Sequence, residues 1–482
     1  MIKQFFKDSA IYSFSTIISR GISIFMVPIY TRVFSPADYG VIDMIAVVSS
    51  LINLTIALEI SQAVARFFPE NKSLEEKRSY ASTALWFTVC VNIAFLILAQ
   101  YYCSYLGPLV LGTSYNEYLF RIAIFSIVTS GILQLVHNQL RWQLQSLNYS
   151  IVSIMMLLVT VTTTIVLIFG FKLGLISVFY GQLIGNVVGL FLSYKFAGDS
   201  FGLVFDKTKL KTMLEFSLPL VPSSAAVFIA VFIDRIAIKE LMTLADVGLY
   251  GIGYRIASMA ALVMVGVQTS MTPLIYNHYQ ESNTPYEIAR IFRFFLWAAL
   301  MCFMGLSMFA SEAIMIFTTP SFYGAYVIVP ILVAAIIVSG MSVFAPGLAI
   351  AKRTKITAAV SITTALLNTG LNFALIPYLG IRGSALATLM GAVMQFTLYM
   401  WLGNKYYPIP YQWKRYLKVL TISILFVLIG TAIKVTFWAD IIIKIFISII
   451  GLILITWILI DKNEFEKVNQ FWLKMQKTIC AK

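Results

Sequence analysis

Two arginines stand where their surroundings offer almost nothing polar: Arg20 and Arg255 each lie well inside an apolar stretch longer than about twenty residues. If those stretches are helices crossing a bilayer, Arg20 is about 18 Å and Arg255 about 14 Å from the face at which its helix enters, at 1.5 Å per residue. An arginine at that depth costs roughly 2.5 to 3.5 kcal/mol on insertion scales, so each is expected to face a watery cavity or a partner. A guanidinium fork can hold an anion bidentately there. Arg32, Arg121 and Arg235 lie nearer the ends of their stretches. Arg32, Arg66 and Arg121 are placed to snorkel to headgroups; alternatively Arg32, Arg121 and Arg235 extend an anion site at its outer end. The acids are fewer. Asp43 is placed to pair with Arg20 or Arg32, or to carry a coupling cation. Asp234 precedes Arg235, and adjacent side chains on a helix point in different directions, which leaves each an ion pair to another helix or a contact with solute. Glu59 is protonated, paired with Arg66 or exposed to a cavity. Cys90, Cys103, Cys302 and Cys480 show no CxxC spacing, and His137 and His278 are the only histidines. No metal, disulfide or cofactor is suggested, and no apolar stretch pairs a nucleophile with a base, so an enzyme is not expected.

The elements that position these residues follow from composition. Of 482 residues, 60% are hydrophobic and 12% charged, with a mean hydropathy of +0.87. A soluble domain with that balance could not cover its surface with polar groups, so an all-α integral membrane protein is expected. The apolar stretches have the length of spanning helices, without the alternation of a β-barrel. Fourteen spans are expected, near residues 8–32, 40–66, 80–102, 117–140, 150–171, 174–196, 212–238, 246–276, 290–311, 324–350, 355–377, 381–403, 416–437 and 440–460. With the N-terminus in the cytoplasm, 24 of the 35 lysines and arginines fall in cytoplasmic connections and tails, against 6 outside. That asymmetry fixes both termini in the cytoplasm and explains the net charge of +14 without a nucleic-acid partner. The opening MIKQFFKDSAIYSFSTIISRG reads as an uncleaved first span.

An internal repeat organises the spans. FSPADYGV at residues 34–41 and MTLADVGL at 242–249 share an A-D-x-G core at an offset of 208, and LGLISVFYGQLIG at 173–185 matches LGIRGSALATLMG at 379–391 at an offset of 206. Both members of the first pair read as short external turns, with Pro36 and Gly40 breaking the helix and Asp38 capping the next one. Spans 1–6 and 7–12 are therefore two copies in the same orientation. The expected domains are 1–200 (first lobe), 201–405 (second lobe) and 406–482 (two further spans and a cytoplasmic tail), with residues 197–211 as the flexible linker between the lobes. The two extra spans are expected to line a groove for a lipid tail, and Lys434 and Lys444 at their external ends to be dispensable.

The segments IISRGISIFMVPIYTRVFSPADYGV, FIDRIAIKELMTLADVGLYGIGYRIA and KRTKITAAVSITTALLNTGLNFALIPYLGIRGSALAT carry a resemblance over roughly the first 400 residues. Together they resemble the polysaccharide transporter family, the Wzx-type O-antigen and capsule flippases, within the superfamily that also holds multidrug exporters and the lipid II flippase. Its most specific part is the pattern from Asn368 through Asn372 and Pro377 to Gly380. The resemblance implies two six-helix lobes around a central cavity, and transport of an undecaprenyl-diphosphate-linked oligosaccharide (an O-antigen, capsule or lipopolysaccharide unit) from the inner to the outer leaflet of the bacterial cytoplasmic membrane by alternating access. Arg20, Arg255, Arg32, Arg121 and Arg235 are then the expected substrate-binding residues, and Asp43, Asp234 and Glu59 the coupling or ion-pair residues. Expected partners are the lipid-linked oligosaccharide, membrane lipids, a proton or sodium ion as driving cation, and polysaccharide polymerase and chain-length proteins. A multidrug exporter of the same fold is the alternative reading, though it would want an acidic cavity. A membrane glycosyltransferase or polymerase would need a long external loop, and none is present.

Overall fold

Long runs of Leu, Ile, Val, Phe and Ala without internal Asp, Asn or Gly clusters favour helices that satisfy every backbone hydrogen bond within the segment. In the computed structural model every regular element among the described residues is helical. The structure describes residues 2–70, 73–112, 115–262, 264, 271, 275, 278–433 and 436–459; within the first helix the side chains of residues 2–10, 12, 13, 16 and 20 are outside that description. The helices are α1 (Ile2–Val33), α2 (Pro36–Thr55), α3 (Ile60–Glu70), α4 (Leu74–Tyr101), α5 (Cys103–Leu111), α6 (Glu117–Trp142), α7 (Ser146–Phe169), α8 (Ile176–Ala197), α9 (Lys207–Ser217), α10 (Val221–Leu241), α11 (Leu244–Ala257), α12 (Thr284–Met308), α13 (Ala310–Phe317), α14 (Val329–Gly340), α15 (Gly347–Ile350), α16 (Thr354–Leu379), α17 (Ile381–Asn404), α18 (Trp413–Ala432) and α19 (Phe437–Leu459). Twelve segments among the described residues are long and apolar enough to cross a membrane. Each coincides with one of the fourteen expected spans. The other two, near 8–32 and 246–276, include residues or side chains outside the description, and the count of fourteen stays an expectation.

By internal packing the chain divides into two units. One comprises Met1–Ile252, Phe317–Phe322 and Asn372–Ile381; the other comprises Gly253–Ile316, Tyr323–Leu371 and Arg382–Lys482. The expected domain limits at residues 200 and 405 follow the sequence repeat, which is a different partition from this one.

In the first unit, the two A-D-x-G turns meet. Ser35, not Asp38, is the N-cap of α2: its Oγ accepts from the Asp38 amide at 3.2 Å while the Asp38 carboxylate accepts from the Ser35 amide at 3.0 Å. Pro36 starts the helix rather than breaking it, because the first helical position has no amide bond to lose. Thr243 and Asp246 form the same reciprocal pair, at 3.3 and 3.2 Å. Gly40 lies inside α2 for a packing reason. A β-carbon there would stand 1.8 Å from the Leu244 carbonyl oxygen, and one at Gly248 would stand 2.0 Å from that of Pro36. Subtracting the repeat offset turns one contact into the other, so the turns pack about a local twofold.

Elsewhere in this unit α8 carries glycines at 181, 185 and 189, a small-residue stripe on which α7 packs through Thr164, Thr160 and Met156. The stretch 197–211 is pinned to α4 instead of being a loose linker. Arg78 Nε donates to the Phe201 carbonyl at 3.1 Å, Trp86 Nε1 to that of Gly202 at 3.0 Å, and Ser82 Oγ and Thr83 Oγ1 accept from the amides of Gly202 and Asp206. The second expected span is two helices. Between α2 and α3 the chain turns through Leu58 and Glu59 with φ of 50° and 55°, a left-handed conformation unusual for residues with a side chain.

Within the second unit, α12 packs on α14, α18 and α19. Its Phe292 centres an aromatic cluster with Phe344, Tyr411 and Tyr416, ring centroids 5.0 to 5.2 Å apart.

Candidate functional site

On α10, Asp234 and Arg235 are 4% and 7% exposed. They pair with each other, against the expectation from adjacency. Arg235 Nη1 lies 3.1 and 3.2 Å from the two carboxylate oxygens, and the Arg235 amide donates to Oδ1 at 2.9 Å. Successive Cβ atoms diverge by about 100° on a helix, but an arginine is long enough to fold back across that angle. Tyr250 of α11 donates its hydroxyl to Asp234 Oδ2 at 2.6 Å, and the guanidinium lies 5.5 and 5.7 Å from the ring centroids of Tyr250 and Phe232. Charge-assisted donors and two ring faces hold the buried pair in place.

Asp43 of α2 is 8% exposed and faces the next residue of α11: a β-carbon at Gly251 would stand 1.9 Å from Asp43 Oδ2. The offset of 208 makes Asp43 and Gly251 equivalent positions of the repeat. Where one copy carries the carboxylate, the other carries the glycine that makes room for it. Asp43 and Asp234 are thus brought to adjacent residues of α11, with Arg235 beside them, whereas Arg32 and Arg121 are not. Arg32 is exposed and donates to the Pro28 carbonyl at 2.8 Å on its own helix. Arg121 is held between Glu117 at 2.7 Å and Gln100 Oε1 at 3.0 Å. Arg20 sits on α1 with its side chain outside the described residues, and Arg255 is half-buried on α11 in the second unit.

Glu59 has a different setting. The α2–α3 break, with Asn53, Glu59, Thr88, Gln134 and Asn138, lines a cavity of about 380 Å³ in the first unit. Arg66 is engaged elsewhere, 3.7 Å from Glu70 and over the Phe216 ring at 5.3 Å. Glu59 thus lines a cavity and is not paired with Arg66.

The second unit holds an apolar cavity of about 610 Å³, between α12, α14, α17 and α18, with Leu296, Phe303, Met400, Leu420 and Ile424 on its walls. Beside its mouth Tyr411 donates to the Phe344 carbonyl; burial and then the neighbouring Tyr416 push its phenol well above the ordinary range. Lys444 is not an exposed residue at a span end. It is 2% exposed, with Nζ 2.6 Å from Glu312 Oε1 on α13 and 3.0 Å from Asp440 Oδ2 one turn earlier on α19. Lys434 lies outside the described residues.

Sequence reasoning missed Tyr250, Gly251 and Glu312. The repeat offset could have found Gly251; nothing local marks the other two.

The profile of the family described as "Polysaccharide biosynthesis protein" matches residues 5–278. The chain belongs to this family. This polysaccharide biosynthesis protein is 23% identical over 288 residues, 58% of its length and 67% of the relative's, to "Lsg locus putative protein 1" of Haemophilus influenzae. Its fold is that of the structure titled "Lipid II flippase MurJ, inward closed conformation", with a TM-score of 0.72, 19% identity, and 92% and 97% of the two chains covered. An inward-facing multidrug resistance MATE family transporter follows at a TM-score of 0.64, 14% identity, and 80% and 97% coverage. A transporter from Pyrococcus furiosus, titled as having a binding pocket of reversed polarity, has a TM-score of 0.58 at 15% identity, over 82% and 95%. The family member is thus a multi-pass, all-α membrane protein of the flippase and exporter fold.

Proposed function

We propose that this protein is a flippase moving an undecaprenyl-diphosphate-linked oligosaccharide, an O-antigen or capsule repeat unit, from the inner to the outer leaflet of the cytoplasmic membrane by alternating access. The observation that carries the reading is membership of a polysaccharide biosynthesis family on the fold of a lipid II flippase. Two features support it. The 610 Å³ apolar cavity suits a polyprenyl tail, which gains about 25 cal/mol for each Å² removed from water. Arginines within or beside spanning helices suit a diphosphate, which cannot cross hydrocarbon unless fixed positive charge replaces its water. In this reading Arg20 and Arg255 hold the diphosphate, and Arg32, Arg121 and Arg235 stand along its exit. Asp43, Asp234 and Glu59 serve coupling by a proton or sodium ion or hold arginines between turnovers. Both termini face the cytoplasm, as the charge asymmetry requires, and a polymerase with its chain-length partner receives the product outside.

Deleting the gene should abolish surface polysaccharide and accumulate the lipid-linked unit, and plasmid-borne protein should reverse both. The likeness to multidrug transporters favours drug export as the second reading. A deletion strain with unchanged surface glycan and increased sensitivity to cationic drugs would establish that reading instead.

A further inference from the structure

The 380 Å³ cavity of the first unit sharpens the general coupling role given to Glu59 above into a particular site. No lysine or arginine lines it; Glu59 is its one charged residue, and the carboxylate has no ion-pair partner among the described residues. Thr88 is 1% exposed and lines the cavity, and its Oγ1 has no hydrogen-bond partner among the described residues. The same holds for Asn53 Oδ1. The Asn53 amide is oriented by its other end, where Nδ2 donates to Ser130 Oγ at 2.9 Å. Ser130 in turn donates to the Ile127 carbonyl, so the assignment of oxygen and nitrogen at Asn53 is fixed by the network. Asn92 is oriented likewise, by Nδ2 donating to the Thr88 carbonyl at 2.9 Å. Both amide oxygens point at one spot: a β-carbon at Gly131 would stand 2.8 Å from Asn53 Oδ1 and 2.9 Å from Asn92 Oδ1.

Buried polar oxygens left without a partner are costly, and two neutral ones, Thr88 Oγ1 and Asn53 Oδ1, on residues that line one cavity with a lone carboxylate suit a cation. The backbone agrees. Residues 56–59 interrupt a membrane helix, and Leu58 and Glu59 hold left-handed φ values that residues with a side chain rarely adopt. Interrupted membrane helices occur where the broken backbone lines a cavity, and the C-terminal end of a half-helix attracts cations. Among the described residues no group of three His, Cys, Asp or Glu could hold a metal, which argues against a divalent transition ion. One carboxylate with neutral oxygens matches a hard monovalent ion.

We propose that this cavity binds a monovalent metal cation of the sodium class, held by Glu59, Thr88 Oγ1 and the Asn53 amide oxygen at the end of α2. The site is separate from Asp43 and Asp234, and the inference does not depend on which solute the protein carries.

The test is binding of radioactive sodium to the purified full chain in detergent, with thermal unfolding in sodium chloride against choline chloride at equal ionic strength. Saturable binding and a sodium-specific rise in unfolding temperature are expected. Glu59→Gln, which is isosteric and only half-buried, should lose both, as should Thr88→Val, and Thr88→Ser should keep both. Equal stabilisation by choline, or sodium binding unchanged in Glu59→Gln, would overturn the proposal. So would a pH-dependent stability that Glu59→Gln abolishes without any sodium effect, since that would make the cavity a proton site. None of these readouts involves glycan, so failure here leaves the flippase reading untouched, and the reverse.

Discussion

Asp234 and Arg235 show what a buried charge demands. Neither could remain at 4% and 7% exposure without a partner. Removing one member leaves the other buried and uncompensated, so Arg235→Ala should destabilise by about 3 to 5 kcal/mol, and Tyr250→Phe, which removes one charge-assisted donor, by about 1.5 to 3. Unfolding of the purified variants in detergent checks the order. If Arg235→Ala unfolds like wild type yet loses export, Arg235 belongs to the substrate path rather than to this cluster. Charge was legible in the sequence at all eight candidate residues, because it follows from residue type, and depth in the bilayer stays an expectation drawn from position in an apolar run. Their partners were not, since a partner depends on which helices meet. Adjacency even misled at 234–235, because it describes Cβ directions and says little about where a long guanidinium ends.

Helices were the most legible elements, their apolar runs being long and uninterrupted. What the runs conceal is interruption. The α2–α3 break falls in INLTIALEISQ, where no proline or glycine announces it, and so it read as one span. The repeated turn is the opposite case: its residues were visible, but their work is packing and capping. A valine at Gly40 would drive a side chain into the Leu244 carbonyl, 1.8 Å from its β-carbon. Gly40→Val and Gly248→Val should therefore each lower the yield of folded protein, whereas Ala46→Ser, at an exposed position of α2, should not; equal yields for all three would show that the turns do not hold each other. At the other end of the chain, Lys444→Gln strips the counter-charge from Glu312 and Asp440. The expected outcome is a loss of about 3 to 5 kcal/mol in unfolding free energy, measurable by denaturation, in place of the tolerance that an external lysine would give.

For the whole molecule, the distribution of positive charge is the strongest topological statement in the sequence, because insertion reads it directly. It predicts a cytoplasmic N-terminus and an external position for both A-D-x-G turns, which cysteine labelling from the outside of intact cells can check at Ala37 and Ala245. A cross-link between cysteines placed one in each turn should block export with the protein still inserted, if opening to the outside separates them. Family and fold class were legible because they rest on motifs and apolar length. Substrate binding is a proposal that rests on charge matching. The most direct test of that central claim measures the fraction of lipid-linked oligosaccharide accessible at the outer leaflet in a deletion strain complemented, at matched protein level, with wild type, Arg20→Ala, Arg20→Lys, Arg255→Ala or Arg255→Lys. Wild type should give an accessible pool, either alanine variant only background, and lysine, which keeps the charge but loses the bidentate fork, an intermediate pool. A wild-type pool from both alanine variants would contradict that claim.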